Sequence, residues 1–116
     1  MGTYEDGKLV VKASPIEGLG LFAKRAFRKE ETVLRWHPRR ISEEEFRNTP
    51  AKERRYLGTL EDGTKVLMQS PERYVNSSSE PNTKTVGESD VAVRDIQAGE
   101  EILSNYPIDD PQEARY

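Results

Sequence analysis

Apolar residues along this chain fall in short clusters, and the stretches between them are rich in glycine, proline, serine and charge. Leu9-Val10-Val11-Lys12-Ala13 is short and β-branched and is stopped by Ser14-Pro15, so it predicts a strand. Gly18-Leu19-Gly20 predicts a tight turn, with a second short strand at Leu21-Phe22-Ala23. A third strand is predicted over residues 32–36, ending near Pro38. Ser42 followed by Glu43, Glu44 and Glu45 reads as a helix start. Ser42 and Glu45 have capping-box spacing, and an acidic first turn suits the helix dipole. Pro50 should end that helix, with another turn or two to follow over residues 52–56. Asp62-Gly63 lies between apolar runs at 57–60 and 65–69, which predicts a hairpin. Gly87-Glu88 between residues 83–86 and 90–96 predicts another. A strand ending on Tyr106 follows, and residues 107–116 are polar and irregular. The sum is about seven short strands with one or two short helices, a mostly β, loop-rich domain rather than a doubly wound α/β sheet.

Composition narrows the chemistry. The chain has 116 residues, the size of a single domain, with 34% apolar and 34% charged residues. A core this small gains support from a partner chain, so a homodimer is one expectation. There is no cysteine, which excludes disulfides, thiol nucleophiles and cysteine-based zinc sites. The single histidine, His37, reads as a partly exposed loop residue. One histidine gives a His-cluster metal site or a Ser-His-Asp triad little to draw on, and no metal is expected. Net charge of −3 argues against direct nucleic-acid binding by bulk electrostatics and permits attraction of a basic polypeptide. No apolar run approaches the ~20 residues of a membrane span, and the polar, acidic start is unlike a signal peptide. The expected location is therefore intracellular, in the cytoplasm or at the nucleoid or nucleus.

Three segments carry candidate chemistry. Gly18-Leu19-Gly20-Leu21-Phe22-Ala23 fits G-x-G-x-x-A, but a dinucleotide fold needs a helix directly after the glycines. Here Lys24-Arg25-Ala26-Phe27-Arg28-Lys29 and strand residues follow instead. The glycines then serve close backbone approach, to another strand or to a ligand. Asn76-Ser77-Ser78-Ser79-Glu80-Pro81-Asn82 follows the apolar-aromatic strand end Tyr74-Val75. Alone it reads as a polar loop with an Asx-type turn at each end. Glu100-Glu101-Ile102-Leu103-Ser104-Asn105-Tyr106 reads as a strand with a terminal tyrosine on the core.

In order and spacing, these segments resemble the SET domain. A Ser-Pro strand end precedes G-x-G-hydrophobic-Phe-Ala. Arg73-Tyr74-Val75-Asn76-Ser77-Ser78-Ser79-Glu80-Pro81-Asn82 comes next, and then Gly99-Glu100-Glu101-Ile102 with Tyr106. The resemblance covers roughly residues 8 to 106, and the Arg73–Asn82 motif is its most specific part. Without cysteines for zinc-binding flanking modules, the chain is similar to short, stand-alone viral and prokaryotic members, one SET domain over residues 1–116 with a tail at 107–116.

The resemblance implies small curved sheets and a pseudoknot between the Asn-rich motif and the final tyrosine strand. It implies transfer of a methyl group from S-adenosylmethionine to the ε-amine of a lysine in a protein, leaving S-adenosylhomocysteine. Cofactor and lysine would approach from opposite faces of a narrow channel. Carried over residue by residue, Gly18, Leu19, Gly20, Asn76 and Ser77 would bind the cofactor and Tyr106 would be catalytic. Tyr56 would line the lysine channel, and Ser104 would influence how many methyls are added. Trp36 and Tyr74 are read as core aromatics ahead of channel ones. The substrate would be a basic lysine-containing protein of the chromatin-associated or histone-like kind. Glu43-Glu44-Glu45 and Asp109-Asp110 are suited to such a basic tail, although a solvated helix start is the simpler account. The family usually has Asn-His-Ser-Cys where this chain has Asn76-Ser77-Ser78-Ser79. That departure motivates an alternative: a catalytically silent SET-like module that binds cofactor or a basic peptide.

Overall fold

The computed structural model describes residues 4–60 and 62–105. Among the described residues, ten short strands form four small sheets. β1 (Leu9–Ala13) pairs antiparallel with β2 (Leu19–Ala23), with Leu9 opposite Ala23 and Ala13 opposite Leu19. β2 starts two residues earlier than expected, because Leu19 and Gly20 already pair with β1. The turn itself is Ser14–Gly18, closed by Ser14 N–H to Gly18 O at 2.8 Å. β1 alternates, with Leu9 and Val11 buried and Lys12 exposed. In β2 the run from Gly20 to Ala23 is buried without alternation. The reason is that β2 is covered on its other edge too. Ala23 N–H bonds Glu100 O at 2.9 Å, and Ile102 N–H bonds Leu21 O at 2.7 Å. A strand enclosed on both sides reads as a continuous apolar run.

β3 (Thr32–Arg35), β9 (Ser89–Ala92) and β8 (Thr83–Val86) make one three-stranded antiparallel sheet, in the order β3-β9-β8. Gly87, at φ 61°, serves the two-residue turn between β8 and β9. β9 ends at Ala92, four residues short of expectation. Beyond it Ile96 makes only an isolated antiparallel bridge with Phe27, while Arg94 and Asp95 face solvent. β4 (Arg39–Arg40), β6 (Lys65–Leu67) and β5 (Leu57–Thr59) make the third sheet. Its hairpin turn is the one expected, with Gly63 at φ 90°.

Helix α1 (Glu43–Arg47) is capped as its sequence predicts, Ser42 Oγ accepting Glu45 N–H at 3.0 Å. The Glu45 carboxylate does not return to the cap; it pairs with Arg39 at 2.9 Å. A 3-10 turn at Ala51–Tyr56 follows Pro50. Glu72–Tyr74 is also a 3-10 turn, not the strand end read from Tyr74-Val75. Its backbone closes on itself, Tyr74 N–H to Pro71 O and Val75 N–H to Glu72 O, so residues 72–74 never extend.

The fourth sheet has the fewest residues and matters most. β7 (Asn76–Ser77) pairs parallel with β10 (Leu103–Ser104), Leu103 opposite Asn76 and Ser104 opposite Ser77. The two segments expected to cross are thus joined. The core between the sheets is built from Leu9, Val11, Leu21, Phe27, Val33, Val66, Ile96 and Ile102, with Trp36 and Val75 at its edge toward β7.

Candidate active site

The polar loop after β7 is tied down by its asparagines, and not through Asx turns. Asn82 is 1% exposed. Its Nδ2 donates to Glu101 O at 2.8 Å, and its Oδ1 accepts Leu103 N–H at 2.8 Å. A side-chain amide thus takes the acceptor and donor on either side of residue 102, the pair a neighbouring strand's peptide would take.

Asn76 works at the other end. Its Nδ2 lies 2.9 Å from Glu101 Oε2, 3.2 Å from Ser14 Oγ, and 3.3 Å from the carbonyls of Glu17 and Leu19. Ser14 Oγ in turn donates to the Glu101 carboxylate at 2.9 Å. Ser14, Asn76 and Glu101 come from three distant parts of the chain and fix the shape of the Gly18 turn. Gly20 is what admits them: a Cβ there would lie 2.3 Å from Glu101 Oε2 and 3.0 Å from Ser14 Cβ. Glu101 and Ser14 were not singled out as site residues from sequence, although Glu101 sits inside the Gly-Glu-Glu segment. Its carboxylate is recognisable only once Gly20 is known to lie against it.

Two cavities adjoin at Asn76, Tyr56 and Arg73. One, of about 170 Å³, is lined by Gly18, Leu19, Asn76, Tyr74, Tyr56, Glu17, Arg55 and Arg73. A Cβ at Gly18 would meet nothing within 4 Å, so the space above the turn is open, and its φ of 45° favours glycine. The other, of about 40 Å³, is lined by Tyr56, Ser104, Asn76 and Trp36, with Met68, Val75 and Thr85. Arg55, Arg73, Glu72 and Asp90 complete its wall. Arg73 stacks on the Tyr56 ring at 3.9 Å and pairs with Glu53 at 3.0 Å. Tyr56 meets Tyr74 edge-on, with ring centroids 6.5 Å apart. The Trp36 ring N–H donates to Asp90 Oδ2 at 3.0 Å. Burial lifts the Asp90 carboxyl to about 6, against the opposing effect of the Trp36 hydrogen bond, with the Glu72 charge adding to the rise.

The residues named from sequence divide accordingly. Gly18, Leu19 and Asn76 line the first cavity; Tyr56 and Ser104 line the second, joined by Trp36 from the core edge. Gly20 stands behind the Glu101 carboxylate, and Ser77 pairs through its backbone with Ser104. Tyr106 lies outside the described residues, as do Asp109 and Asp110. His37 is at the surface as expected, its side chain 63% exposed. Asp90 and Glu72 were missed. The signal for Asp90 was its alternation with Ala92, which puts both on the inner face of β9.

A model of the SET domain family matches residues 18–107, most of the chain. This chain belongs to the SET-domain family. The crystal structure of a Plasmodium falciparum protein, a candidate histone methyltransferase, is similar to it with a TM-score of 0.69 and 25% identity. That likeness covers 89% of this chain and 96% of that one. No curated protein sequence matches the chain. The SET fold therefore accounts for the mostly β architecture, and the family is one of lysine methyltransferases that use S-adenosylmethionine. Among the described residues, no helix is long and apolar enough to cross a membrane.

Proposed function

We propose that this SET domain transfers a methyl group from S-adenosylmethionine to the ε-amine of a lysine in a basic protein. The observation that carries the reading is the pair of adjoining cavities. One lies over a glycine turn and the other is a narrow slot between Tyr56, Trp36 and Ser104, with Asn76 shared between them. The residues present suit the cofactor. The Gly18 turn is open above, and Arg55 and Arg73, paired with Glu17 and Glu53, line the cavity beside it. Gly18, Leu19, Gly20, Asn76 and Ser77 are the proposed cofactor-binding set. When bound, S-adenosylmethionine supplies a methyl on a sulfonium and leaves as S-adenosylhomocysteine.

The protein's part is to place and deprotonate the amine. A lysine with its ordinary pKa of ~10.4 is charged and cannot attack. A slot walled by aromatic rings desolvates it, which favours the neutral form against the pull of the Asp90 and Glu72 carboxylates in the same wall. Positioning then supplies much of the rate. Tyr56 and Tyr106 are proposed to hold the amine in line, and Ser104 leaves room beside it for methyls. For a basic partner, the wider groove of about 500 Å³ beside α1 offers Glu44, while Glu45 and Glu53 in the same lining are paired with Arg39 and Arg73. A histone-like or other chromatin protein fits that chemistry, in the cytoplasm or at the nucleoid or nucleus.

Transfer of labelled methyl to basic proteins tests the reading. Tyr106→Phe should lower transfer on the order of a hundredfold while cofactor affinity stays within about twofold. One observation favours the silent binding module instead: the Asn76 amide already faces four acceptors within the chain. A protein that binds S-adenosylmethionine in a thermal-shift assay yet transfers nothing would establish that second reading.

A further inference from the structure

The narrow cavity contains two carboxylates that its aromatic walls do not explain. Asp90 is 3% exposed, and among the described residues the Trp36 ring N–H is the donor that reaches it, through Oδ2. Glu72 has a fully buried side chain. Its Oε2 accepts the backbone N–H of His37 at 3.0 Å and of Gln69 at 3.4 Å. Its Oε1 is buried without a hydrogen-bond partner, 3.4 Å from His37 Nδ1. Two guanidiniums line the same cavity, but each is turned elsewhere. Arg73 is held by Glu53, by Met68 O and by the face of Tyr56; Arg55 is held by Glu17. Neither forms an ion pair with Asp90 or Glu72. A buried carboxylate without a cation is costly, and in folded proteins it is usually paired, hydrogen-bonded or bound to a ligand.

We propose that Asp90, with Glu72 in the same wall, is the cation-recognition group of this cavity and selects a charged lysine side chain as the group that enters it. This rests on the proposed function for the identity of the side chain, and it deepens that reading by naming what makes the slot prefer lysine. The geometry fits. The cavity has room of about 40 Å³, enough for the tip of one unbranched chain. Trp36 is in the same wall, where an aliphatic stem would meet its ring, and its N–H fixes one carboxylate oxygen, leaving the other for the incoming ammonium. An ammonium supplies the charge and the donors that Asp90 lacks. The same carboxylate opposes loss of the ammonium proton, so Asp90 acts as a specificity residue at entry and not as an aid to deprotonation.

The chain has a single tryptophan, Trp36, bonded to Asp90, which makes its fluorescence a built-in reporter. The test titrates the whole protein with Nα-acetyl-lysine methylamide and with its uncharged isostere Nα-acetyl-norleucine methylamide at pH 7.5. Wild type should prefer the lysine probe by at least about tenfold, the scale of one charge-assisted contact. Asp90→Asn keeps an acceptor for the Trp36 N–H and should reduce the preference to about threefold or less. A preference that survives Asp90→Asn, or a wild type with none, overturns the proposal. Should the variant fold poorly, the wild type answers alone. The probe stays charged between pH 8 and 5, so its preference should fall as pH drops below about 6, and a flat profile counts against Asp90. The preference is read without any methyl transfer, so a lysine-selective but inactive protein would reject the proposed function and not this assignment.

Discussion

Asn76 Nδ2 stands 2.9 Å from Glu101 Oε2, and that contact joins the Asn-rich motif to the segment that closes the fold. It is reinforced by Ser14 and depends on Gly20 having no side chain, so the shape of the open glycine turn is set by residues that do not line it.

Gly20→Ala should therefore act at a distance. The new methyl group would drive the Glu101 carboxylate away from Asn76 and Ser14 and release the carbonyls of Glu17 and Leu19. S-adenosylmethionine affinity by calorimetry should fall by at least about tenfold, a loss of roughly 1.4 kcal/mol. Unchanged affinity would mean that the Ser14–Asn76–Glu101 cluster does not shape the cofactor cavity.

Asn82→Ala removes both partners of the backbone around residue 102, leaving Glu101 O and Leu103 N–H without their bonds. Two unsatisfied backbone groups at 1–3 kcal/mol each give a loss on the order of 3 kcal/mol. Urea unfolding should show this as a lower midpoint with the same slope. Asn82→Asp keeps the acceptor for Leu103 but sets a carboxylate against Glu101 O, so it should rescue little.

Stability should rise on mild acidification, and Asp90 is the reason. Its folded pKa is raised to about 6 from 3.8, so the folded state holds the proton more tightly than the unfolded one. The penalty for ionising it, about 3 kcal/mol at 1.36 kcal/mol per pKa unit, is fully present above pH 6 and is relieved as pH falls toward 4. Asp6 and Glu100 act oppositely. Their pKa values are lowered by hydrogen bonds, from Tyr4 to Asp6 and from Arg94 to Glu100, so they lose stability at still lower pH. The melting temperature should peak near pH 5, and Asp90→Asn should remove the rise between pH 7.5 and 5. A variant that melts well below wild type at pH 7.5 would contradict this.

Ser104 lines the narrow cavity from β10, beside Tyr56. Its small side chain should permit more than one methyl on the same lysine, and Ser104→Tyr should fill that room. Mass spectrometry of product should show di- or trimethyl-lysine with the wild type and a shift toward monomethyl-lysine with the variant. Monomethyl-lysine alone from the wild type would reject the size argument.

What the sequence made legible was local. The Ser42 cap and the Asp62-Gly63 and Gly87-Glu88 turns carry their signal within a few residues and form where expected; the apolar runs form strands, with β2 starting two residues early and β9 stopping four residues short. The resemblance carried the rest of the fold, including the meeting of residues 76–82 with 101–104. Partners far apart in the chain were not legible. Nothing near Asn82 announces that its amide pairs with Glu101 and Leu103, and nothing near Gly20 announces Glu101. Asp90 was hidden differently. One acidic residue beside Val91-Ala92-Val93 looks like a strand end; its alternation with Ala92 hints at the inner face, and the Trp36 ring N–H that meets it there comes from 54 residues away. The strand end read at Tyr74-Val75 failed because Pro71 begins a 3-10 turn that apolar pattern alone does not reveal.

The bond between Ser14 and Glu101 spans 87 residues. At ~5–20 residues per second, a ribosome takes roughly 4 to 17 seconds to travel from one to the other. Through that interval β2 exists without the segment at 100–102 that covers its second edge, and an apolar strand with an open edge is where nascent chains stick together. A growing chain cannot cover that edge until residues 100–102 emerge. Synthesis rate and chaperone supply should therefore bear directly on the yield of this protein.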